Sequence, residues 1–211
     1  MSEKKEARRL EILAYAMQAF AAKGYDKTTM DDIVRVSGLS KGTIYWHFKN
    51  KQALYLAMIG MITDQTITLF DEVLRVSEAD DLNPPDALRR MFSSTADVLE
   101  ANPIFSAMTV DFFLQAFHDE EIKTQFSKYY VEFINRTQKI IQKGIEQGFF
   151  VTGNVHHAAI VVAGALDGLS ALSLLKKELH DLGGMDIDLR AILDTAAEMM
   201  ITGLTKEKKD A

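Results

Sequence analysis

The chain has 211 residues, 47% of them hydrophobic and 26% charged, with three prolines and no cysteine. That length suits one large domain or two small ones, and the lack of cysteine excludes disulfides, thiolate metal sites and cysteine nucleophiles. The net charge of −6 argues against a nucleic-acid partner until it is divided: residues 1–51 hold ten Lys/Arg against six Asp/Glu, a net of +4, which leaves −10 for residues 52–211. A basic head on an acidic chain suits a protein that offers one end to a polyanion, although an uneven surface charge with no partner gives the same numbers.

The N-terminus, MSEKKEARR, carries no apolar h-region, so no signal peptide is expected and a cytoplasmic location follows. Residues 3–23 read as an amphipathic helix. Ile12, Leu13, Ala16, Met17 and Phe20 recur at helical spacing, and Lys4, Lys5, Arg8 and Arg9 sit at its start. Gly24 is placed to end it. Cations at a helix N-terminus oppose the macrodipole, which fits side chains reaching for phosphates and equally a frayed, solvated end. Thr28 and Thr29 ahead of Asp31 and Asp32 form a doubled capping-box pattern. The short helix they open carries Ile33, Val34 and Val36. In Ser37-Gly38-Leu39-Ser40, Gly38 allows a left-handed turn and Ser40 can cap the next helix, of about Lys41 to His47.

Two short helices joined by a glycine turn make a helix-turn-helix, whose second helix enters the major groove of double-stranded DNA. Ile44 and Phe48, four apart, can pack inward. Lys41 can donate to guanine, Thr43 can offer its methyl to thymine, and Tyr45 and His47 can bond to phosphates or base edges. Lys51 and the backbone amides near Thr29 suit phosphates. The DNA-binding candidates are therefore Thr28, Thr29, Lys41, Gly42, Thr43, Tyr45, Trp46, His47 and Lys51. Singly, each has a plain alternative: Tyr45 and Trp46 as core aromatics, His47 as a solvated residue.

The segment GTIYWHFKNKQALY resembles the signature of the tetracycline-repressor (TetR) family of bacterial transcription regulators. The positions that carry the resemblance are Phe20, Gly24, Thr28, Thr29, Ile33, Gly38, Thr43, Tyr45, Trp46, His47, Phe48 and Lys51, within residues 8–60. Val34 and Ser37 depart from the usual alanines, and Met30 stands where many members carry a polar side chain. These departures bear on which operator is read. The resemblance implies an all-α fold of about nine helices: a three-helix DNA-binding domain over residues 1–51, then an effector-binding and dimerisation domain over 52–211.

Gln52 to about Ser77 reads as the connecting helix, and Glu78 to Asn83 as a polar break. Asn83-Pro84-Pro85 starts a new helix, Asn102-Pro103 breaks and restarts it, and Asp119, Glu120 and Glu121 favour an N-terminus ahead of a long helix ending near Gly148. Asn154 can cap a helix running to about His180. Gly183-Gly184 ends that section, residues 187–204 form the last helix, and the charged tail LTKEKKDA is expected to fray.

Ala158 to Leu175 is nearly long enough to span a membrane, but it carries Asp167 and many small residues, so it reads as a helix buried between protein surfaces. A helix apolar all round must be covered all round. Ala165, Leu172, Ile192, Ala196, Met199 and Met200 are the candidate interface of a two-fold homodimer. In the resembling family these last two long helices pack across a two-fold axis, which suits a palindromic operator. Met91, Phe92, Thr95, Met108, Phe112, Phe113, Phe126, Tyr129, Tyr130, Phe133 and Asp167 read either as a filled core or as a pocket for a small lipophilic effector, the reading the family favours. Asp97, Asp111 and Asp167 are candidates to set its polarity, and a cationic lipophile is the guess if one of them is buried beside the aromatics.

Enzyme signatures fail on context. Gly38-Leu39-Ser40-Lys41-Gly42 spells GxSxG, but a capped helix precedes it where a hydrolase needs a strand. Ser2-Glu3-Lys4-Lys5 matches SxxK only on a terminal tail. His156 and His157 diverge by about 100° on a helix and chelate poorly, and no metal or cofactor is expected. The function that follows is a transcriptional regulator, a repressor released by an effector. An activator or effector-independent DNA-binding factor on the same fold is the alternative, and an enzyme a distant one.

Overall fold

The computed structural model describes residues 3–79, 81–102 and 104–205. Pro103, the tail Lys206–Ala211 and Ser2 of the SxxK match lie outside the described residues. Among those described there is no strand. Ten α-helices and one 3-10 turn follow in order: α1 Glu3–Lys27, α2 Met30–Ser37, α3 Lys41–His47, α4 Lys51–Glu78, α5 Pro84–Ala101, α6 Ile104–Ala116, α7 Glu120–Glu146, α8 Val155–Leu172, the 3-10 turn Ser173–Leu175, α9 Lys176–Gly183 and α10 Leu189–Leu204.

Local chemistry sets most boundaries. Gly24 interrupts α1 with φ 74°, a left-handed conformation that glycine adopts without steric cost. Asn83 caps α5 by accepting from the Asp86 amide, with Pro84 in the first turn. Asp119 caps α7 by accepting from the Glu121 and Ile122 amides. Asn154 and Asp188 cap α8 and α10. The helix expected to run unbroken to His180 does not: it tightens to a 3-10 turn at Ser173–Leu175. Ser170 donates to the Leu166 carbonyl at 2.6 Å, and Ser173 to that of Ser170 at 2.6 Å. Such side-chain bonds compete with the helical ladder and loosen it.

The chain forms two compact units. The first joins residues 1–64 with 107–127, so α1 to α3, the first half of α4, most of α6 and the start of α7 belong to it. Ile12, Leu13, Ala16, Phe20, Ile33, Ile44, Tyr55 and Phe112 are buried there. Gln125 donates to the Leu56 carbonyl at 3.1 Å, over the side-chain-free surface of Gly60.

The second unit joins residues 65–106 with 128–211. Its core draws Phe70 and Leu74 from α4, Leu88, Met91 and Phe92 from α5, Phe133 and Ile140 from α7, Val162 and Leu166 from α8, and Leu193 and Ile201 from α10. Phe150 closes back on Gly144, where a Cβ would stand 2.0 Å from its ring.

Two stretches, Lys51–Glu78 and Val155–Gly183, are long and apolar enough to cross a membrane on length and composition alone. Core helices and helices at protein interfaces share that property.

Candidate nucleic-acid interface

The reading face is built from three short pieces, each with its own device. Thr29 caps α2 through a full capping box: its hydroxyl accepts from the Asp32 amide, and the Asp32 carboxylate accepts from the Thr29 amide at 3.0 Å. Asp32 also takes the Lys23 ammonium at 2.7 Å and the Arg35 guanidinium. Those bonds, Lys23 first and Thr29 next, hold its carboxyl well below the usual carboxylate range. Gly38, at φ 65°, turns the chain. Ser40 caps α3 by accepting from the Thr43 amide at 3.1 Å.

Seven residues are too few for a helix that stands alone in water, so α3 depends on these caps and on Ile44 and Phe48, both buried as expected. Its other side chains point away from the core. Lys41, Gly42, Tyr45 and Trp46 are exposed, the last at 65%, and Thr43 and His47 are half-buried. Tyr45 and Trp46 are therefore not core aromatics.

Lys41 pairs with Asp31 at 2.7 Å, which raises the ammonium's pKa above its ordinary value. Lys5 reaches over the Trp46 ring at 4.6 Å, and Arg9 over Phe48 at 5.6 Å. The start of α1 thus shares a surface with α3, which the cations alone left open. The signal was the four-residue spacing of Lys5 and Arg9. Burial, and then Lys5, Arg8 and Arg9, push the His47 pKa down.

Thr28 is a correction. It is 1% exposed, and its hydroxyl donates to the Ala19 and Gly24 carbonyls, so it fastens α2 to α1 and does not face outward. The backbone amides expected to meet phosphate are also engaged: that of Thr28 donates to the Tyr25 carbonyl and that of Thr29 to Asp32. Lys51 donates to the Tyr25 carbonyl at 2.8 Å and lies 4.1 Å over the Tyr25 ring. Tyr25 was not among the sequence candidates.

The effector candidates divide between the units. In the first, Met108, Phe112 and Phe126 are buried and Phe113 is half exposed against Phe126 and Phe117. In the second, Met91, Phe92 and Phe133 belong to the core, and the Thr95 hydroxyl donates to the Met91 carbonyl. Tyr129 stacks on Phe133 and meets Tyr130 edge-on. Tyr130 donates its phenol proton to Asp167, whose pKa is raised by burial against that bond. Asp97 sets no pocket polarity: it is exposed and pairs with Arg190 at 2.8 Å. Asp111 accepts from the Tyr55 hydroxyl at 2.5 Å. Among the described residues no group of three or more acidic or histidine side chains is arranged to hold a metal.

Of the candidate dimer residues, Leu172 and Met199 are exposed, while Ala165, Ile192, Ala196 and Met200 are partly buried. Ile160 and Val161, exposed on α8, extend that apolar surface and were missed because every position of α8 looked equally apolar.

The family model for bacterial regulatory proteins of the tetR family matches residues 12–58, and that for the C-terminal part of BetI-type transcriptional repressors matches residues 84–198. A Bacillus subtilis HTH-type transcriptional regulator, YfiR, is 29% identical over 150 residues, covering 70% of each chain. The probable HTH-type regulator ArpR of Pseudomonas putida is 26% identical over 212 residues, covering 94% of this chain and 93% of its own. Among solved structures, the transcriptional regulator FadR from Bacillus subtilis, in complex with stearoyl-CoA, superposes with a TM-score of 0.77 at 19% identity, over 92% of this chain and 98% of that one. With one family model on the helix-turn-helix and another over more than half its length, the chain belongs to the tetR family of bacterial regulatory proteins and is a DNA-binding transcriptional regulator, not an enzyme.

Proposed function

We propose that the protein is a cytoplasmic repressor that binds a palindromic operator as a homodimer and is released by a small lipophilic effector. The observation that carries the DNA reading is α3, whose two apolar anchors are buried while Lys41, Tyr45 and Trp46 stand outside. Thr29, Lys41, Gly42, Thr43, Tyr45, Trp46, His47 and Lys51 make the contacts in this reading, within a functional DNA-binding segment of residues 1–51. Lys5 and Arg9 join them. Residues 52–211 carry effector and dimer contacts.

The dimer reading is supported by Ile160, Val161, Leu172 and Met199, a set of exposed apolar side chains on α8 and α10. The repressor reading draws on the match to BetI-type repressors. The effector reading draws on the aromatic cluster around Asp167, a carboxylate beside Tyr130 that suits a lipophile carrying a positive charge. To release DNA, such a ligand must bind the released conformation more tightly than the DNA-competent one.

Selection of bound duplexes from random sequence yields the operator in this reading, and a palindrome with half-sites about one turn apart is expected. On that duplex, Lys41→Ala weakens binding in a sequence-dependent way, by about 1–3 kcal/mol, whereas Lys51→Ala weakens it broadly. If neither substitution changes affinity, α3 is not the reading helix. Titration of lipophilic cations and anions against the complex tests the effector. Release by anions alone sinks the charge assignment.

A further inference from the structure

A chain of contacts inside the first compact unit links α6 to the surface that carries Lys51. The Asp111 carboxylate accepts from the Tyr55 hydroxyl at 2.5 Å, and Tyr55 is fully buried. Its ring lies 4.4 Å from that of Tyr25 and meets Phe20 and Phe112 edge-on at 5.1 and 5.3 Å. Tyr25 follows the kink at Gly24. There a Cβ would stand 3.6 Å from Asp111 Oδ1, so α6 reaches the kink itself.

On its far side Tyr25 receives the Lys51 ammonium twice, through its carbonyl at 2.8 Å and its ring at 4.1 Å, and the Asp26 carbonyl takes a second donor at 3.4 Å. An ammonium has three N–H donors. Two serve these carbonyls while the charge lies over the Tyr25 ring, so the ammonium is held in one place beside Tyr25. Held this way, the Lys51 ammonium depends for its position on that of Tyr25. Gln115 on α6 adds a contact to Asp26 at 3.5 Å.

We propose that Asp111 is a positioning residue for DNA binding: by holding Tyr55 against Tyr25, it fixes where Lys51 presents its ammonium to a phosphate. The inference rests on the reading of Lys51 as a phosphate contact. Tyr55 needs its hydroxyl only for Asp111, so replacing it with phenylalanine keeps the packing and removes the tether. A hydrogen bond to a charged group is among the stronger ones. Its loss frees Tyr25 to shift with the kink and carries Lys51 off the phosphate.

The test uses the full chain and the duplex that the wild-type chain enriches from random sequence, with affinity followed by fluorescence anisotropy across a salt series. Tyr55→Phe and Asp111→Leu should each weaken binding about five- to tenfold. Both should flatten the dependence on salt to that of Lys51→Ala, since a lost phosphate contact releases fewer counterions. Asp111→Asn, whose amide oxygen still accepts from Tyr55, should stay within about twofold of wild type. Combined with Lys51→Ala, Tyr55→Phe should add less than about twofold.

A melting temperature recorded for each variant separates positioning from folding. The proposal is overturned if folded Tyr55→Phe and Asp111→Leu keep the wild-type salt dependence, or if Tyr55→Phe costs as much with Lys51 absent as with it present. An unaltered affinity in Lys51→Ala alone overturns the phosphate reading, and this proposal with it.

Discussion

Helices α3 and α8 solve opposite problems. The first has seven residues, hides Ile44 and its C-cap Phe48, and leaves outside side chains that carry a charge, a hydroxyl or a ring edge. The second has 18 residues, hides Val162 and Leu166, and still leaves Ile160, Val161 and Leu172 in the open, Val161 at 54%. A surface like that of α3 is at home in water and beside a polyanion. A surface like that of α8 is not at home in water, and large exposed apolar patches mark interaction sites. The stabilising devices differ in the same way. α2 and α3, being short, lean on the polar bonds at their ends, whereas α8, though capped by Asn154, is held mostly by buried area.

The sharpest way to break the contrast is to remove an anchor from the short helix. Ile44→Ala leaves a cavity under α3 and should cost about 3 kcal/mol, read in urea unfolding, with DNA affinity falling alongside. An undiminished unfolding midpoint would mean that α3 is held by its caps alone. Next comes the exposed apolar face. Val161→Glu should raise the dissociation constant of the proposed dimer about a hundredfold while leaving the circular dichroism of the chain unchanged. Sedimentation equilibrium reads this, and an unaltered association would move the dimer surface elsewhere.

Smaller is the cap. Thr29→Ala deletes the hydroxyl that serves the Asp32 amide and should cost about 1 kcal/mol. The matching target on α8 is Asn154, which accepts from the His157 amide at 2.9 Å.

The smallest effect is a pH dependence. Burial and three nearby cations lower the His47 pKa in the free protein. DNA phosphates act the other way, so the bound state takes up a proton more readily than the free one. Affinity is then greater on the acid side and falls as pH rises through the bound-state value, by about threefold between pH 6 and 8. In the free chain the sign for stability is also fixed. A histidine whose folded pKa is depressed leaves stability intact above its unfolded value, near 6.5, and loses some as pH falls below it. His47→Gln should abolish the affinity change; if it persists, another group titrates.

Much of this was legible in the sequence because it is written in neighbouring residues. Thr29 and Asp32, Ser40, Asn83 and Asn154 act on amides within three positions of themselves, Gly38 turns the chain through its left-handed φ, and the structure uses each as its type dictates. The burial of Ile44 and Phe48 follows from their spacing on a helix and the turn after it.

What escaped depends on distance along the chain. Tyr55 and Asp111 lie 56 positions apart, and nothing in either neighbourhood announces the other. Thr28 looked like Thr29 because both precede the same acidic pair, and only the approach of α1 decides which of them turns inward. The break at Ser173–Leu175 was hidden because serines are tolerated in helices, and their side-chain bonds were invisible in a uniformly apolar run. Asp97 and Asp111 were indistinguishable as sequence. One found an arginine at the surface and the other a tyrosine hydroxyl.

The first compact unit is assembled from two separate lengths of chain, residues 1–64 and 107–127. A DNA-reading head of this kind is not a detachable module. A chimera that grafts residues 1–51 onto a different body would carry Phe20 and Tyr25 without the Tyr55 they pack on, or the Asp111 and Phe112 that hold Tyr55. Its apolar underside would open to water while its reading face was nominally complete. Transplanting the operator preference requires moving residues 107–127 together with the first 64, or redesigning that seam in the recipient.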